Sequence, residues 1–223
     1  MRIKLIICMS LILIVMTPFS AFSGTVNLPR TGQTFIHYPG DDGDIQAGVA
    51  WPEPRFTDNG DGTMTDNLTG LMWTKNATSS HKTWQEALDY CNNLTLGGYS
   101  DWRLPNVNEL ESLVNAGESD IGTWLNAQGF TNEQAGYYWS STTHGDYSGS
   151  AWCIDMWHLG KFGTALVANG EKGDGYNVWP VRGGQCGSLD HSVICLPKTG
   201  QTKCSNISGG EISCAGTGQD GDI

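Results

Sequence analysis

The sequence predicts an α+β fold for residues 51–184, in which a hairpin precedes two helices and further strands follow them. Three observations predict this order. Short β-type segments with two turn signals occupy residues 55–75, two capping boxes open helical segments at Thr83 and Asn106, and aromatic strand-like segments follow Gly117. The stretch is long enough for one well-buried domain, and no second core is indicated.

The first strands are separated by two turns, at residues 58–62 and 67–70, whose Asn-Gly and Asp-Gly pairs are typical of tight turns. Calcium takes closely spaced hard oxygen ligands, and four side chains here offer them: Asp58, Asn59, Asp61 and Asp66. Their spacing differs from a twelve-residue calcium loop, because no glutamate closes it. Both interpretations, tight turns and a calcium site, are open from the sequence.

The first helix is expected to begin at Thr83, where Glu86 completes a capping box, and to end at the glycines 97 and 98. The second is expected to begin at Asn106 with Glu109 and to end at Gly117. Both have one apolar face, formed by Trp84, Ala87, Leu88 and Cys91 in the first and by Val107, Leu110, Leu113 and Val114 in the second. Cys91 is therefore expected to point inward.

The second half of the domain is rich in aromatic residues and glycine. Residues 137–142, 151–157 and 178–182 are predicted strands, and Pro180 indicates an edge position or a strand end for the last one. The tryptophans predicted to lie in the core are Trp73, Trp84, Trp102, Trp139 and Trp179. Trp152 and Trp157 lie five positions apart and would face opposite sides of a strand, so one of them is a candidate for exposure. The position of Trp124 is left open.

Residues 1–23 have the pattern of a cleaved signal peptide, with Arg2 and Lys4 before an apolar run and a small-residue cleavage site at Ala21–Ser23. A membrane anchor and a lipoprotein box at Cys8 are the weaker alternatives. Cleavage removes these two basic residues and no acid, which lowers the formal charge from −11 to −13. Such a charge disfavours nucleic acid and anionic membranes as partners, and export to the periplasm, outer surface or medium is expected.

A polar lead-in, residues 24–50, returns in part within the tail, residues 185–223. Leu28-Pro-Arg-Thr-Gly-Gln-Thr34 is repeated as Leu196-Pro-Lys-Thr-Gly-Gln-Thr202, and Asp-Gly-Asp-Ile follows in both copies, after an insertion in the second. The repeat predicts one unit of a tandem array with the linker of a further unit, in a chain that is truncated or an array that has decayed. A cell-wall sorting signal at residues 196–200 is the weaker alternative, since polar residues follow it.

Six cysteines remain after signal cleavage, and in an exported chain this even number predicts three disulfides. Six cysteines can be connected in 15 different ways. A bond between Cys91 and Cys153 would clamp the first helix to a strand. The other four residues would then close short loops in the tail, as the pairs Cys186–Cys195 and Cys204–Cys214.

No catalytic constellation is visible. The histidines are spread over separate segments without metal spacing, and Ser140-Ser141 lacks a nucleophile-elbow setting. A non-catalytic protein is therefore expected.

An ordered series of motifs resembles the bacterial Lcl C-terminal domain family, named for a collagen-like adhesin. The series is Thr65–Trp73, Trp84-x-x-Ala87-x-x-x-Cys91, Gly98–Asn106, Glu109-Leu110, Tyr138–Thr142 and Val181–Gly183. The resemblance, and the helical Trp-Ala-Cys spacing, imply a C-type lectin-like fold: two helices packed on a small twisted antiparallel sheet, with a long-loop region that carries the bound ligand.

The resemblance implies a binding module in cell-surface adhesion. The sulfated-glycan binding of the family's namesake is not carried over, because this chain is acidic and has no collagen repeat. The Glu-Pro-Asn and Trp-Asn-Asp motifs of calcium-dependent lectins are also missing. A glycan or other surface polymer is the expected ligand, and docking to another envelope protein as a structural module is the alternative. The predicted ligand contacts are Trp152, Asp155, Trp157, His158, Lys161, Lys172 and Asp174.

Overall fold

A four-stranded antiparallel sheet is built from the hairpin region and the last strand of the domain. The computed structural model describes residues 28–78, 80–156, 166–183, 194 and 196–222, so the predicted signal peptide lies outside the described residues. The strands β1 (Phe56–Asp58), β2 (Thr63–Asp66), β3 (Leu71–Thr74) and a late strand, Val181–Gly183, follow one another in that order across the sheet. The late strand lies at the edge of the sheet and begins directly after Pro180, which fits both predicted positions of this proline, an edge strand and a strand end.

A second sheet has three antiparallel strands, β4 (Tyr137–Thr143), β5 (Ser150–Asp155) and β6 (Leu166–Glu171), with β5 in the middle. The late edge strand of the first sheet is therefore β7. Side chains of β4 and β5 alternate between two cores. Tyr138 and Ile154 belong to the larger hydrophobic cluster, whereas Trp139 and Cys153 belong to the smaller one. The described residues thus form an α+β fold with small antiparallel sheets and few helices, as predicted.

The five tryptophans predicted to be core residues are all at most 2% exposed. The indole nitrogens of four of them donate to main-chain oxygens: Trp84 to Ser140 at 2.8 Å, Trp102 to Leu96 at 3.2 Å, Trp139 to Lys82 at 2.9 Å and Trp179 to Thr74 at 2.9 Å. These bonds satisfy the indole N–H of the four rings, and those of Trp84, Trp139 and Trp179 join distant segments. Trp73 Nε1 is buried without a hydrogen-bond partner among the described residues.

The first predicted helix lies close to its predicted position. After a lead-in turn, α1 (Asp42–Ile45), helix α2 spans Trp84–Asn92, and Glu86 Oε2 accepts the Thr83 amide at 2.9 Å. Its four predicted apolar positions are buried. The helix ends before the two glycines because Asn93 Nδ2 donates to the Asp89 carbonyl at 2.7 Å, and the glycines, both with positive φ, then form the turn between Leu96 and Tyr99.

The second predicted helix is shorter than expected. Helix α3 spans only Val107–Glu111, although the predicted capping box of Asn106 and Glu109 is formed. Ser112 Oγ donates to the Glu109 carbonyl at 2.7 Å, and the amides of Leu113 and Val114 bond three residues back, so tight turns replace the helix towards residue 117.

A further helix, α4 (Ile121–Ala127), was not predicted from the sequence. Asp120 caps it by accepting the amide and hydroxyl of Thr123 at 2.9 and 2.7 Å. The helix buries Ile121 and Leu125 and packs Trp124, whose position the sequence left open, against the larger cluster. Asp120 before apolar residues at helical spacing was the signal for this element.

The predicted disulfide between Cys91 and Cys153 is wrong, because both cysteines are free thiols. They are fully buried in the same hydrophobic cluster with Ala87 and Leu104, and packing therefore holds helix α2 on the sheet where a covalent clamp was expected. Burial raises the pKa of the Cys153 thiol to about 12 and raises that of Cys91 further.

The tail contains the predicted Cys204–Cys214 disulfide, which is confirmed. It closes a two-stranded ribbon, β8 (Cys204–Ser205) and β9 (Glu211–Ile212), before a 3₁₀ turn at Asp220–Asp222. The prediction for Cys186 and Cys195 falls outside the described residues. Within the described ranges, no helix combines the length and apolar character that a membrane crossing needs.

Candidate functional site

An aromatic patch lies where β5 begins, formed by His144, Tyr147 and Trp152. The imidazole lies between the other two rings, with centroid distances of 4.4 Å to Trp152 and 5.2 Å to Tyr147 and ring planes inclined by 31° and 44°. Tyr147 is 66% exposed, and the other two rings are half-buried. The patch therefore presents three mutually inclined ring faces that are partly or largely open to solvent.

The loop that carries the patch is held by hydrogen bonds of its own. His144 Nδ1 accepts the amides of Asp146 and Tyr147 at 3.2 and 3.3 Å, and the Ser150 amide donates to the Tyr147 carbonyl at 2.7 Å. Nδ1 is therefore the acceptor nitrogen of this ring, and Nε2 is left for other contacts. The loop thus fixes the imidazole before any ligand arrives.

Polar groups surround the aromatic surface. Asn169 of β6 is the register partner of Trp152 and is exposed, and Asp146 is exposed within the loop. The patch therefore combines ring faces with amide and carboxylate groups at its border.

Two other predicted ligand contacts lie apart from Trp152. Asp155 ends β5 three residues later and so points to the opposite face of the strand, where its carboxylate is the main cause that raises the pKa of Tyr137. Asp174 is exposed in the turn after β6 and accepts the Tyr176 hydroxyl at 3.4 Å. The predicted contacts Trp157, His158 and Lys161 fall outside the described residues.

The prediction that Lys172 contacts the ligand is wrong, because this side chain is fully buried and cannot reach a surface ligand. Its Nζ donates to Thr143 Oγ1 at 3.0 Å and Ser205 Oγ at 2.8 Å, and it lies 3.8 Å from the centre of the Trp84 ring. The tail supplies Ser205, so the tail covers the ammonium group. Burial lowers the pKa of Lys172 to about 8.

The four side chains considered for calcium are engaged in contacts within the hairpin. Asp58 accepts from Lys75 Nζ at 2.6 Å, which lowers its pKa, and Asp61 Oδ1 accepts the hydroxyl of Thr63 at 2.6 Å. Asn59 Nδ2 donates to the hydroxyls of residues 63 and 65. These bonds are those of a tight turn. Asp66 lies apart from the turn, at the end of β2, and is fully buried.

Asp66 forms a two-pronged ion pair with Arg55, whose Nε and Nη2 donate at 2.7 and 2.9 Å. The guanidinium also lies over the rings of Trp51 and Phe56, at 4.5 and 4.8 Å from their centres. The carboxylate further accepts the Thr69 hydroxyl at 2.7 Å. Asp66 is therefore a structural anion. Nowhere in the described ranges do three His, Cys, Asp or Glu side chains converge as metal ligands.

A second concave surface, of about 280 Å³, lies between the two copies of the sequence repeat. The Leu-Pro pairs of both copies line it, together with Trp51 and the end of α3. Trp51 Nε1 donates to the Arg30 carbonyl at 2.8 Å, and Arg30 Nη1 donates to Gln46 at 3.0 Å. Sequence reasoning assigned no function to this groove, although the repeated Leu-Pro pair was its signal.

The comparisons with known proteins agree with the motif series. Residues 62–182, more than half of the chain, match the family model of the Lcl C-terminal domain. No curated protein matches the chain.

Proposed function

The chain belongs to the Lcl C-terminal domain family, and from this membership we propose that it is an exported, non-catalytic ligand-binding module. Its ligand is a glycan or another surface polymer, and its role is adhesion at the cell surface. We propose the periplasm, the outer surface or the medium as its location.

We propose that the fold is C-type lectin-like. The arrangement in support is the long helix α2, packed through Trp84, Ala87 and Cys91 on the sheet that holds Trp139 and Cys153. The loop of residues 144–150, between β4 and β5, then corresponds to the ligand-carrying region.

The observation that carries the binding proposal is the aromatic patch. Exposed ring faces stack on the apolar faces of sugar rings, and the neighbouring Asn169 and Asp146 offer hydrogen bonds to hydroxyl groups. The acidic chain and the carboxylate beside the patch favour a neutral glycan over a sulfated one. None of the four residues considered for calcium belongs to this surface, so the proposed binding is independent of that ion.

The state of the cysteines supports a non-catalytic role. A reactive thiol has a lowered pKa and access to solvent, whereas Cys91 and Cys153 are buried with raised pKa values.

The test is a glycan array probed with the mature chain, followed by calorimetric titration of the strongest neutral hit. Trp152→Ala should weaken that binding at least about fivefold, because truncation of an aromatic anchor costs more than about 1 kcal/mol. Tyr38→Ala, at an aromatic residue that is 76% exposed in the lead-in, is the matched control and should bind normally. Equal affinity of both variants and the parent would refute the patch as the binding surface.

A second candidate function is assembly with other domains of the same kind. It is favoured by one observation, the presence of two repeat copies that both dock on the domain and both line the groove.

A further inference from the structure

The two copies of the repeat have the same internal structure. The lead-in copy comprises residues 28–45 and the tail copy residues 196–222. In each, a threonine hydroxyl donates to an aspartate, from Thr31 to Asp42 and from Thr199 to Asp220. The following glutamine amide donates to the same threonine at 3.3 Å in both copies. The repeat is therefore a folded unit.

The equivalence extends across the ten-residue insertion of the tail copy. Asp41 accepts the amide of His37 at 2.8 Å, and Gln219 accepts the amide of Ser205, the equivalent residue, at 3.0 Å. The Cys204–Cys214 disulfide closes the inserted ribbon. The insertion thus extends the unit and leaves these equivalent hydrogen bonds in place.

The tail copy docks on the domain through one of its faces. Asn108 Nδ2 donates to the Pro197 carbonyl at 2.7 Å, the Thr143 amide to Gln201 Oε1 at 2.6 Å and Thr142 Oγ1 to Asp220 Oδ2 at 3.0 Å. The three domain residues are called the acceptor surface here. Its partners all lie on the Pro-Gln-Asp face of the tail copy.

The lead-in copy docks through a different face. Trp51 Nε1 and the Ala116 amide donate to the carbonyls of Arg30 and Thr31 at 2.8 and 2.9 Å, and Gly32 packs so closely on Asn115 that a Cβ would collide with it. The equivalent glycine of the tail copy, Gly200, has open space around it. The groups that bond to the domain in one copy are therefore those whose equivalents make no such bond in the other copy, among the described residues.

The free face of the lead-in copy carries groups that suit the acceptor surface. Among the described residues, no donor reaches Gln33 Oε1 or the Pro29 carbonyl, whose equivalents in the tail copy are bonded to the domain. The copy also exposes large apolar side chains, namely Phe35 at 68%, Ile36 at 51%, Tyr38 at 76% and Ile45 at 63%. Cys204, the equivalent of Ile36, is 1% exposed in the docked tail. Several large apolar side chains exposed within one short segment indicate an interaction surface.

We propose that the repeat is a two-faced connector and that the free face of the lead-in copy binds the acceptor surface of a second copy of this chain. The proposal rests on the proposed assembly role and does not require that the glycan-binding proposal be correct. The contact is heterologous, so it propagates head to tail. Within one chain the tail copy occupies the acceptor surface, and association therefore requires its release.

The test uses four full-length proteins compared by sedimentation velocity at physiological salt. The tail variant carries Gln201→Arg and Asp220→Arg, which oppose the docked face and free the acceptor surface. The lead-in variant carries the matched changes Gln33→Arg and Asp42→Arg, with the same change in charge. The third is the combination of both pairs, and the fourth is the parent.

The parent, the lead-in variant and the combination should be monomers, whereas the tail variant should at least double its weight-average mass. Hydrogen exchange at the Thr143 amide is the second readout. This amide should be protected from exchange in the parent, exchange rapidly in the combination, and be protected again in the associated tail variant. A monomeric tail variant would overturn the proposal, and so would association of the combination. A tail variant that fails to fold is replaced by Thr199→Arg, which opens the same unit, with Thr31→Arg as its match.

Discussion

Lys172 links the domain to the tail, and its replacement by methionine tests whether the tail covers it. The ammonium group is fully buried between the Trp84 ring and Ser205, and within the described part of the chain it hydrogen-bonds to no carboxylate. Burial lowers its pKa from 10.5 to about 8. At pH 7 the native state must therefore hold a charge that the unfolded chain holds at lower cost.

The sign of the pH dependence follows from this lowered pKa. Below pH 8 both states bind the proton. Between pH 8 and 10.5 the unfolded state binds more protons than the native state, so stability rises with pH through this window. Between pH 7 and 10 the gain from one such lysine is about 2.5 kcal/mol, because each pKa unit corresponds to about 1.4 kcal/mol.

The assay is urea unfolding of the parent and Lys172→Met at several values between pH 7 and 10. The quantity of interest is the difference between their free energies of unfolding, because the tyrosines and buried thiols titrate in both proteins and cancel. The difference should move in favour of the parent by about 2.5 kcal/mol as the pH rises. Lys203→Met, at a side chain that is 75% exposed, is the matched control. A constant difference for Lys172→Met would refute the burial of the ammonium under the tail.

Three other outcomes are expected. Asp66→Asn should lower the free energy of unfolding by about 3–5 kcal/mol, since it leaves a buried guanidinium unpaired; a loss under about 1 kcal/mol in urea unfolding would contradict this. Cys91 and Cys153 should resist iodoacetamide until the protein unfolds, because both thiols are buried with raised pKa values, and a disulfide-linked peptide in mass spectrometry would show otherwise. Replacing Cys204 and Cys214 by serine should lower the free energy of unfolding of the tail by about 2.7 kcal/mol, because the disulfide closes a loop of ten residues. Faster hydrogen exchange confined to the tail checks this last outcome, and unchanged exchange would oppose it.

Local signals in the sequence were sufficient for the parts of the fold that local chemistry determines. The capping box at Thr83 and Glu86 located the start of α2, and its helical spacing identified the buried face that includes Cys91. The length of α3 was overestimated, because the apolar spacing of Leu113 and Val114 is compatible with tight turns as well as with a helix. Periodicity alone does not distinguish the two at a helix end.

Contacts between distant segments could not be predicted in this way. Asp66 had the chemistry of a calcium ligand, but the register of β1 against β2 places it beside the segment of Arg55. Lys172 had the chemistry of a surface contact, but Ser205, 33 positions later, covers it. In both cases the chain topology determines which polar group lies beside the side chain, and the spacing of residues in the sequence does not reveal that topology.

The tail and the aromatic patch share one loop, and this relates the two proposed roles. Ser148 Oγ donates to the Gly209 carbonyl at 2.8 Å, and its own carbonyl accepts from Ser205 Oγ at 3.1 Å, whereas the neighbouring Tyr147 is exposed in the patch. Release of the tail removes both bonds and loosens the loop that orients His144. A ligand that requires the ordered loop then binds the docked state more tightly, and by linkage it opposes release of the tail to the same extent. Ligand binding and head-to-tail association are therefore expected to compete through this loop.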